Sequence, residues 1–161
     1  MMQLRHLPPH ARLWLFLADT ALSAAQQEDL NIQLTAFTAT WKSHGNSLSA
    51  GFDIQHSQLI VIAVDQQAEA PSGCSIDKAF RLLQDFGFAH KIDFFNRLLV
   101  PVETADGLLV VHRSALPAMI SNGQLSLEQS YYDLTITRLD ALETSFKKPL
   151  NQGWVMNVIN I

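Results

Sequence analysis

The chain has 161 residues, of which 48% are hydrophobic and 16% are charged, and its formal net charge is −4. This length is sufficient to bury a hydrophobic core, and we expect residues 1–161 to form a single domain without internal disulfides, since only one cysteine is present. Only 11 Lys and Arg residues occur, which disfavours a nucleic-acid interface because such interfaces need a basic face.

The first predicted element is a buried strand over residues 12–18, where the sequence is mostly apolar. Basic residues before this run and small residues after it also imitate a secretory signal peptide. However, Pro8-Pro9 and Asp19 interrupt that pattern, which favours the strand. No stretch approaches the ~20 apolar residues of a membrane span, so no membrane contact is expected.

A helix follows this strand. A capping-box pattern at Ser23 predicts its start, and the helix is expected to run to about Ser43, with Gly45 as its C-terminal stop. Its apolar side chains recur at helical spacing and predict one buried face. These residues are Leu30, Leu34, Phe37 and Trp41.

The next segment predicts a hairpin and a second helix. Residues 48–54 alternate between apolar and polar side chains, and residues 58–64 are almost continuously apolar, which is typical of two paired strands joined by a turn at His56-Ser57. The second helix is expected to end near His90. Its buried stripe comprises Ile76, Phe80, Leu83 and Phe86.

The remaining chain predicts shorter elements. Residues 98–102 and 108–112 are expected to pair as a second hairpin, because turn-forming residues separate them. After this hairpin the pattern is less regular. We expect a short helix over 114–122, a strand over 131–136, a helix over 138–147 and an apolar tail from Trp154.

The order of these elements predicts an α+β fold with a ferredoxin-like core (strand–helix–strand–strand–helix–strand) over about 12–112 and a C-terminal α/β extension over about 113–161. In that topology, the first helix ends and the second begins at the same sheet edge. His44-Gly45 and the Ser72–Asp77 loop are therefore expected to lie together. The second face of the sheet is also apolar, so either the C-terminal third or a dimer partner is expected to cover it.

Cys74, the single cysteine, carries the candidate chemistry. It lies where the second helix is predicted to begin, and first-turn amides stabilise a thiolate. His44 would act as the base and Asp65 would orient the imidazole, as in nucleophile–base–orienter sites. Asp77 opposes this reading by like-charge repulsion. A buried structural cysteine or a ligand-lining cysteine are the alternatives.

Small polar residues around Cys74 predict a ligand site at the helix start, where backbone N–H groups favour an anion. An ordinary helix cap by Ser72 or Ser75 is the alternative. No cofactor is expected, and no metal, because the six histidines lack ligand spacing. The predicted ligand-binding residues are Gly45, Asp65, Ser72, Gly73, Ser75 and Asp77.

Four segments carry a resemblance that spans nearly the full length of the chain. They are residues 41–45, residues 58–65, residues 72–78 and residues 93–97. On these segments the chain resembles an uncharacterised family of small bacterial proteins, known chiefly from Bacteroidetes and often labelled "ABC transporter ATPase". The phosphate-binding pattern G-x-x-x-x-G-K-[ST] does not occur in the sequence, so a P-loop ATPase is not expected. The resemblance implies no activity.

These observations favour a cytoplasmic binding or accessory protein over an enzyme. Its polar pocket would lie at one sheet edge, near the Cys74 loop, and would bind a small molecule or a protein. Two alternatives stay open. One is a thiol-dependent enzyme that uses Cys74 with His44, and the other is a structural or regulatory homodimer. Neither nucleic acid nor a membrane is an expected partner.

Overall fold

The structure, a computed structural model, describes residues 4–159 and confirms a mixed α+β fold with antiparallel sheets. The strands are β1 (Arg12–Leu17), β2 (Lys42–Ser43), β3 (Asn46–Ser47), β4 (Ala50–Gln55), β5 (Leu59–Val64), β6 (Leu99–Thr104), β7 (Gly107–His112), β8 (Ser130–Tyr132) and β9 (Lys147–Pro149). The helices are α1 (Ala24–Thr40), α2 (Gly73–His90), α3 (Leu116–Ser121), α4 (Ala141–Thr144) and α5 (Gly153–Ile159).

The described chain divides into two compact units. Unit 1 contains residues 4–95 with Thr137–Asp140, and unit 2 contains Asn96–Ile136 with residues 141–159. This division precedes β6, whereas the predicted core extended to about residue 112. The difference arises because the β6–β7 hairpin pairs with the later strand β8. That the chain forms a single domain stays a prediction.

Unit 1 is built on a three-stranded sheet with the order β1-β5-β4, in which both pairings are antiparallel. Side chains of α1 and α2 share a hydrophobic core with Ile60 and Ile62 on one face of the sheet. Alternate residues of β5 point to the opposite face, and Leu59, Val61 and Ala63 there have 0% exposure. Because this face is buried within the chain, it is not available as the surface of a sheet-to-sheet homodimer.

The ferredoxin-like order is not confirmed. The predicted fourth strand, β6, lies in the sheet of unit 2, whose order is β7-β6-β8-β9. The free edge of β1 is bridged instead by a short segment around Arg138, where Leu13 N–H donates to Thr137 O and Leu139 N–H donates to Ala11 O. The order of elements along a chain does not determine which sheet edge a later hairpin joins, and here the prediction failed.

Several local predictions are confirmed. Ser23 and Gln26 form the capping box of α1, and Ser72 caps α2. His56 and Ser57 both have positive φ, and they close the β4–β5 hairpin, as a type I′ turn requires. The predicted hairpin of β6 and β7 is also present, with Val102 opposite Leu109.

The predicted end of the first helix is wrong. The helix α1 stops at Thr40, and residues 42–47 form the small β2–β3 hairpin. His44 and Gly45 have φ of 50° and 85°, so they are the two turn residues of that hairpin. Gly45 is therefore a hairpin residue and not a helix stop.

The C-terminal elements are shorter than predicted. The strand ends at Tyr132, because Asp133 Oδ1 accepts hydrogen bonds from the backbone N–H and hydroxyl of Thr135 and turns the chain. The predicted helix over 138–147 is limited to α4. Lys147, the last residue of the predicted helix, instead begins β9, which pairs with β8.

Candidate functional site

Two surfaces of unit 1 bear on function. The first is the predicted one, which we call the Cys74 rim. Ser72 N–H donates to Ser43 Oγ at 3.1 Å, and Trp41 Nε1–H donates to Ser75 O at 2.8 Å. The β2–β3 hairpin and the start of α2 therefore meet at one sheet edge, as the chain path predicted. The rim contains His44, Gly45, Asp65 and residues 72–77.

The polar groups of the rim bind one another. Ser75 N–H donates to Ser72 Oγ at 3.1 Å, and Ser75 Oγ donates to Ser72 O at 2.8 Å. Ser75 is only 2% exposed, so it does not present its hydroxyl to a ligand. Asp77 lies outside the first turn of α2, which contains no acidic residue. The serines at this position act mainly as a helix cap.

Cys74 and His44 are both exposed, and their pairing as a nucleophile and its base stays a prediction. Cys74 is exposed, so its reading as a buried structural residue is wrong. His44 is exposed in the hairpin turn beside Gly45. Within residues 4–159, no hydrogen bond or ion pair joins the thiol to the imidazole. Within this range the structure therefore contains no preformed pair. In many enzymes the catalytic hydrogen bonds form only when the substrate binds.

Asp65 is directed to another histidine. Its Oδ1 accepts a hydrogen bond from Gln67 N–H at 3.0 Å and lies 3.7 Å from His10 Nε2. His6 Nε2 lies 3.2 Å from Ala50 O. Asp65 therefore contacts the N-terminal segment through His10, and its role in orienting His44 stays a prediction.

The second surface is an open groove of about 720 Å³ at the C-terminal end of α2, which we call the Phe88 groove. Its size is in the range of about 300–1,000 Å³ that is usual for ligand sites. It combines apolar, acidic and basic side chains. The groove is lined by Asp19, Leu83, Gln84, Gly87, Phe88, Lys91, Ile92, Asp93 and Phe95.

Hydrogen bonds hold one wall of this groove in place. Asp19 Oδ1 accepts from Asp93 N–H at 3.0 Å, and Asp19 N–H donates to Asp93 O at 2.9 Å. Asp93 Oδ1 then accepts from Phe95 N–H at 2.8 Å. The second oxygen of each carboxylate makes no hydrogen bond to any described residue. The wall is therefore fixed, yet it still presents negative charge.

The helix end supplies the opposite wall. Lys91 caps α2 in the left-handed region at φ 56°, and its N–H donates to Gly87 O. Glycine usually occupies this position because a side chain there is strained. Gly87 itself packs closely, since a Cβ at this position would collide with Ile92 O. The groove therefore depends on a glycine in the last helical turn and on a lysine where glycine is favoured.

Phe88 is the residue that sequence reasoning missed. Its side chain is 91% exposed, more than that of any other large hydrophobic residue in the described chain. A signal was present in the spacing. Phe86 belongs to the buried stripe of α2, and a residue two positions later points about 200° away from it on a helix. Phe88 therefore had to face away from the core.

A hydrogen-bonded contact between α1 and α2 lies near this end of α2. Asp29 accepts a hydrogen bond from Gln33 Nε2 at 3.1 Å and lies 3.2 Å from His90 Nε2. Both hydrogen bonds lower the pKa of Asp29, and the bond from Gln33 contributes most. His90 also stacks on Phe86 with ring centroids 4.2 Å apart. The C-terminal turn of α2 is thus held against α1, and Phe88 is left on its outer side.

Within residues 4–159, no group of three or more His, Cys, Asp or Glu side chains is placed to hold a metal ion. No helix there combines the length and apolar character needed to cross a bilayer. Comparison with known proteins found no matching family model, no matching curated protein and no matching solved structure. The resemblance to the Bacteroidetes-type family stays a prediction.

Proposed function

We propose that the protein is a binding or accessory protein that uses the Phe88 groove to bind a protein segment with a large apolar side chain. The exposure of Phe88 is the observation that carries this proposal. Full burial of a phenylalanine side chain contributes about 1.5–3 kcal/mol. Phe88 is left almost wholly in water beside the groove, so this apolar area is available to a partner.

The groove also suits a protein segment better than a small molecule. It is open, and two aromatic residues, Phe88 and Phe95, are among those that line it. Aromatic residues are enriched among the side chains that dominate protein–protein binding. The Cys74 rim is a weaker candidate, because the hydroxyls of Ser43, Ser72 and Ser75 are already engaged with each other and with the backbone.

Selection from a random-peptide library tests this proposal. The full chain and its Phe88→Ser variant are immobilised at low density. We expect peptides with a large apolar residue to be enriched on the native chain, and to bind the variant at least about tenfold more weakly, which corresponds to about 1.4 kcal/mol. Ile32→Ser is the matched control, since Ile32 is an exposed residue of α1 with 58% exposure. Equal binding to native chain and Phe88→Ser contradicts the proposal.

Thiol chemistry at Cys74 is the second candidate, and the exposure of this residue at the start of α2 favours it. A free exposed thiol also supports our proposal of a cytoplasmic location, since that compartment keeps thiols reduced. Alkylation rates with iodoacetamide separate the two functions. If the protein is a binding protein, Cys74 of the native chain is expected to react no faster than a free cysteine. The His44→Ala variant is then expected to react at the same rate as the native chain. A fast reaction that depends on His44 would favour the enzyme.

A further inference from the structure

We infer that the Phe88 groove binds the same groove of a second copy of this chain, so that two copies form a symmetric dimer. This inference rests on the proposed function, because it names the partner of the same site. In a twofold interface each surface patch meets an identical patch. Such a patch must therefore complement itself both in shape and in charge.

The shape of the groove meets this requirement. Phe88 projects from α2 with 91% exposure, and the lining of the groove beside it includes the partly buried Phe95 and the edge of Ile92, which is 7% exposed. A projection and a recess are thus adjacent in one patch. When two copies meet about a twofold axis, Phe88 of each copy enters the recess of the other.

The charges of the groove also allow the patch to complement itself. Lys91 supplies a cation, and Asp19 and Asp93 supply carboxylates that each keep one oxygen without a hydrogen bond to the described residues. A patch with charges of one sign would repel its own copy, whereas a patch with both signs can pair opposite charges across a twofold axis. In the dimer, Lys91 of each copy faces the carboxylates of the other copy.

The expected dimer is weak. One phenylalanine buries roughly 150–250 Å², so the two Phe88 side chains alone bury far less than the ~1,200 Å² of a standard interface. We therefore expect a dissociation constant of about 10–100 µM. The apolar sheet face does not compete as an interface, because Leu59, Val61 and Ala63 are fully buried within the chain.

Sedimentation velocity of the full chain between about 5 and 500 µM tests the inference. The native chain is expected to pass from monomer to dimer over this range. Phe88→Ser is expected to raise the dissociation constant at least about 100-fold, because symmetry removes two anchors at once. Lys91→Glu is expected to raise it at least about tenfold, and Ile32→Ser is expected to leave it unchanged. Thermal unfolding of each variant checks that it is folded.

The outcomes separate this inference from the proposed function. A native chain that stays monomeric over the whole range overturns the dimer. The dimer through this groove is also overturned if Ile32→Ser raises the dissociation constant as much as Phe88→Ser does. If the native chain is monomeric but still enriches peptides that require Phe88, the groove binds other proteins and only the dimer fails. If no Phe88-dependent peptide is enriched either, the groove is not a binding surface.

Discussion

Trp41 Nε1–H donates a hydrogen bond of 2.8 Å to the backbone carbonyl of Ser75, 34 positions later in the chain. Trp41 is 3% exposed, so this bond fixes the start of α2 to the end of α1 within the core. A buried hydrogen bond of this kind contributes about 0.5–1.5 kcal/mol, and loss of indole packing adds to it.

Trp41→Phe is therefore expected to lower the free energy of unfolding by about 2–3 kcal/mol, measured by urea denaturation. Trp154→Phe is the matched control. The Nε1 of Trp154 is buried without a hydrogen-bond partner among the described residues, and removing such a donor relieves a cost. We expect Trp154→Phe to cost less than about 1 kcal/mol. Equal losses for the two variants would show that the bond to Ser75 contributes nothing.

Ser57 gives a second prediction. It occupies the turn between β4 and β5 at φ 58°, where an L-residue is strained and glycine is not. Ser57→Gly is expected to raise the free energy of unfolding by about 0.5–1 kcal/mol. Ser49→Gly is the control. Ser49 does not have a positive φ, so the added chain entropy should destabilise that variant. A loss of stability in both variants contradicts the prediction.

The chain has two tyrosines, Tyr131 and Tyr132. Both should lose their protons at a higher pH than a tyrosine in water. Burial raises the pKa of each to about 12, and negative charge at Asp133 or Glu103 adds to the effect. A pKa that is higher in the folded state supplies stability that is complete below pH 10 and is lost as the pH rises toward 12. Phenolate absorbance should therefore appear near pH 10 only in unfolded protein. Titration of either tyrosine near pH 10 in the folded state would contradict this.

Asp133 should stabilise unit 2 at neutral pH. Burial alone raises the pKa of Asp133, but hydrogen bonds from Lys148 Nζ and Thr135 outweigh it, so the net pKa is lowered. A lowered pKa supplies stability that is present at neutral pH and is lost as the medium becomes acidic, below the usual pKa of 3.8. Asp133→Asn is expected to cost about 1.5–3 kcal/mol near pH 7.

The pH dependence provides the check on this prediction. The difference between the native chain and Asp133→Asn should shrink as the pH falls through the acid range, because the carboxyl group is then protonated in both folded and unfolded states. Asp140→Asn is the control. Its pair with Arg138 is exposed on both sides, so it should cost less than about 1 kcal/mol. A pH-independent difference for Asp133→Asn would mean that its charge is not the cause.

Local features were predictable because each depends on a few neighbouring residues. The capping box at Ser23 and the helix cap at Ser72 follow from the side chains at those positions, and the alternation in residues 48–64 is sufficient for a hairpin. The position of His44 is not predictable in this way. Type I′ turns are usually marked by Asn-Gly, so the His44-Gly45 pair does not by itself distinguish the hairpin at Lys42–Ser47 from the end of a helix.

The amino-acid pattern thus accounts for the α+β class and for the main helices, and it places the residues after α1 near the start of α2, although it does not predict the β2–β3 hairpin there. Long-range packing settled the rest. β6 could pair with a free edge of the first sheet or with strands of a second one. The choice depends on which edge forms the better pairing, and no local sequence pattern predicts that. The Phe88 groove likewise arises from two separated segments, residue 19 and residues 83–95, and a surface made by distant segments exists only once the chain has folded.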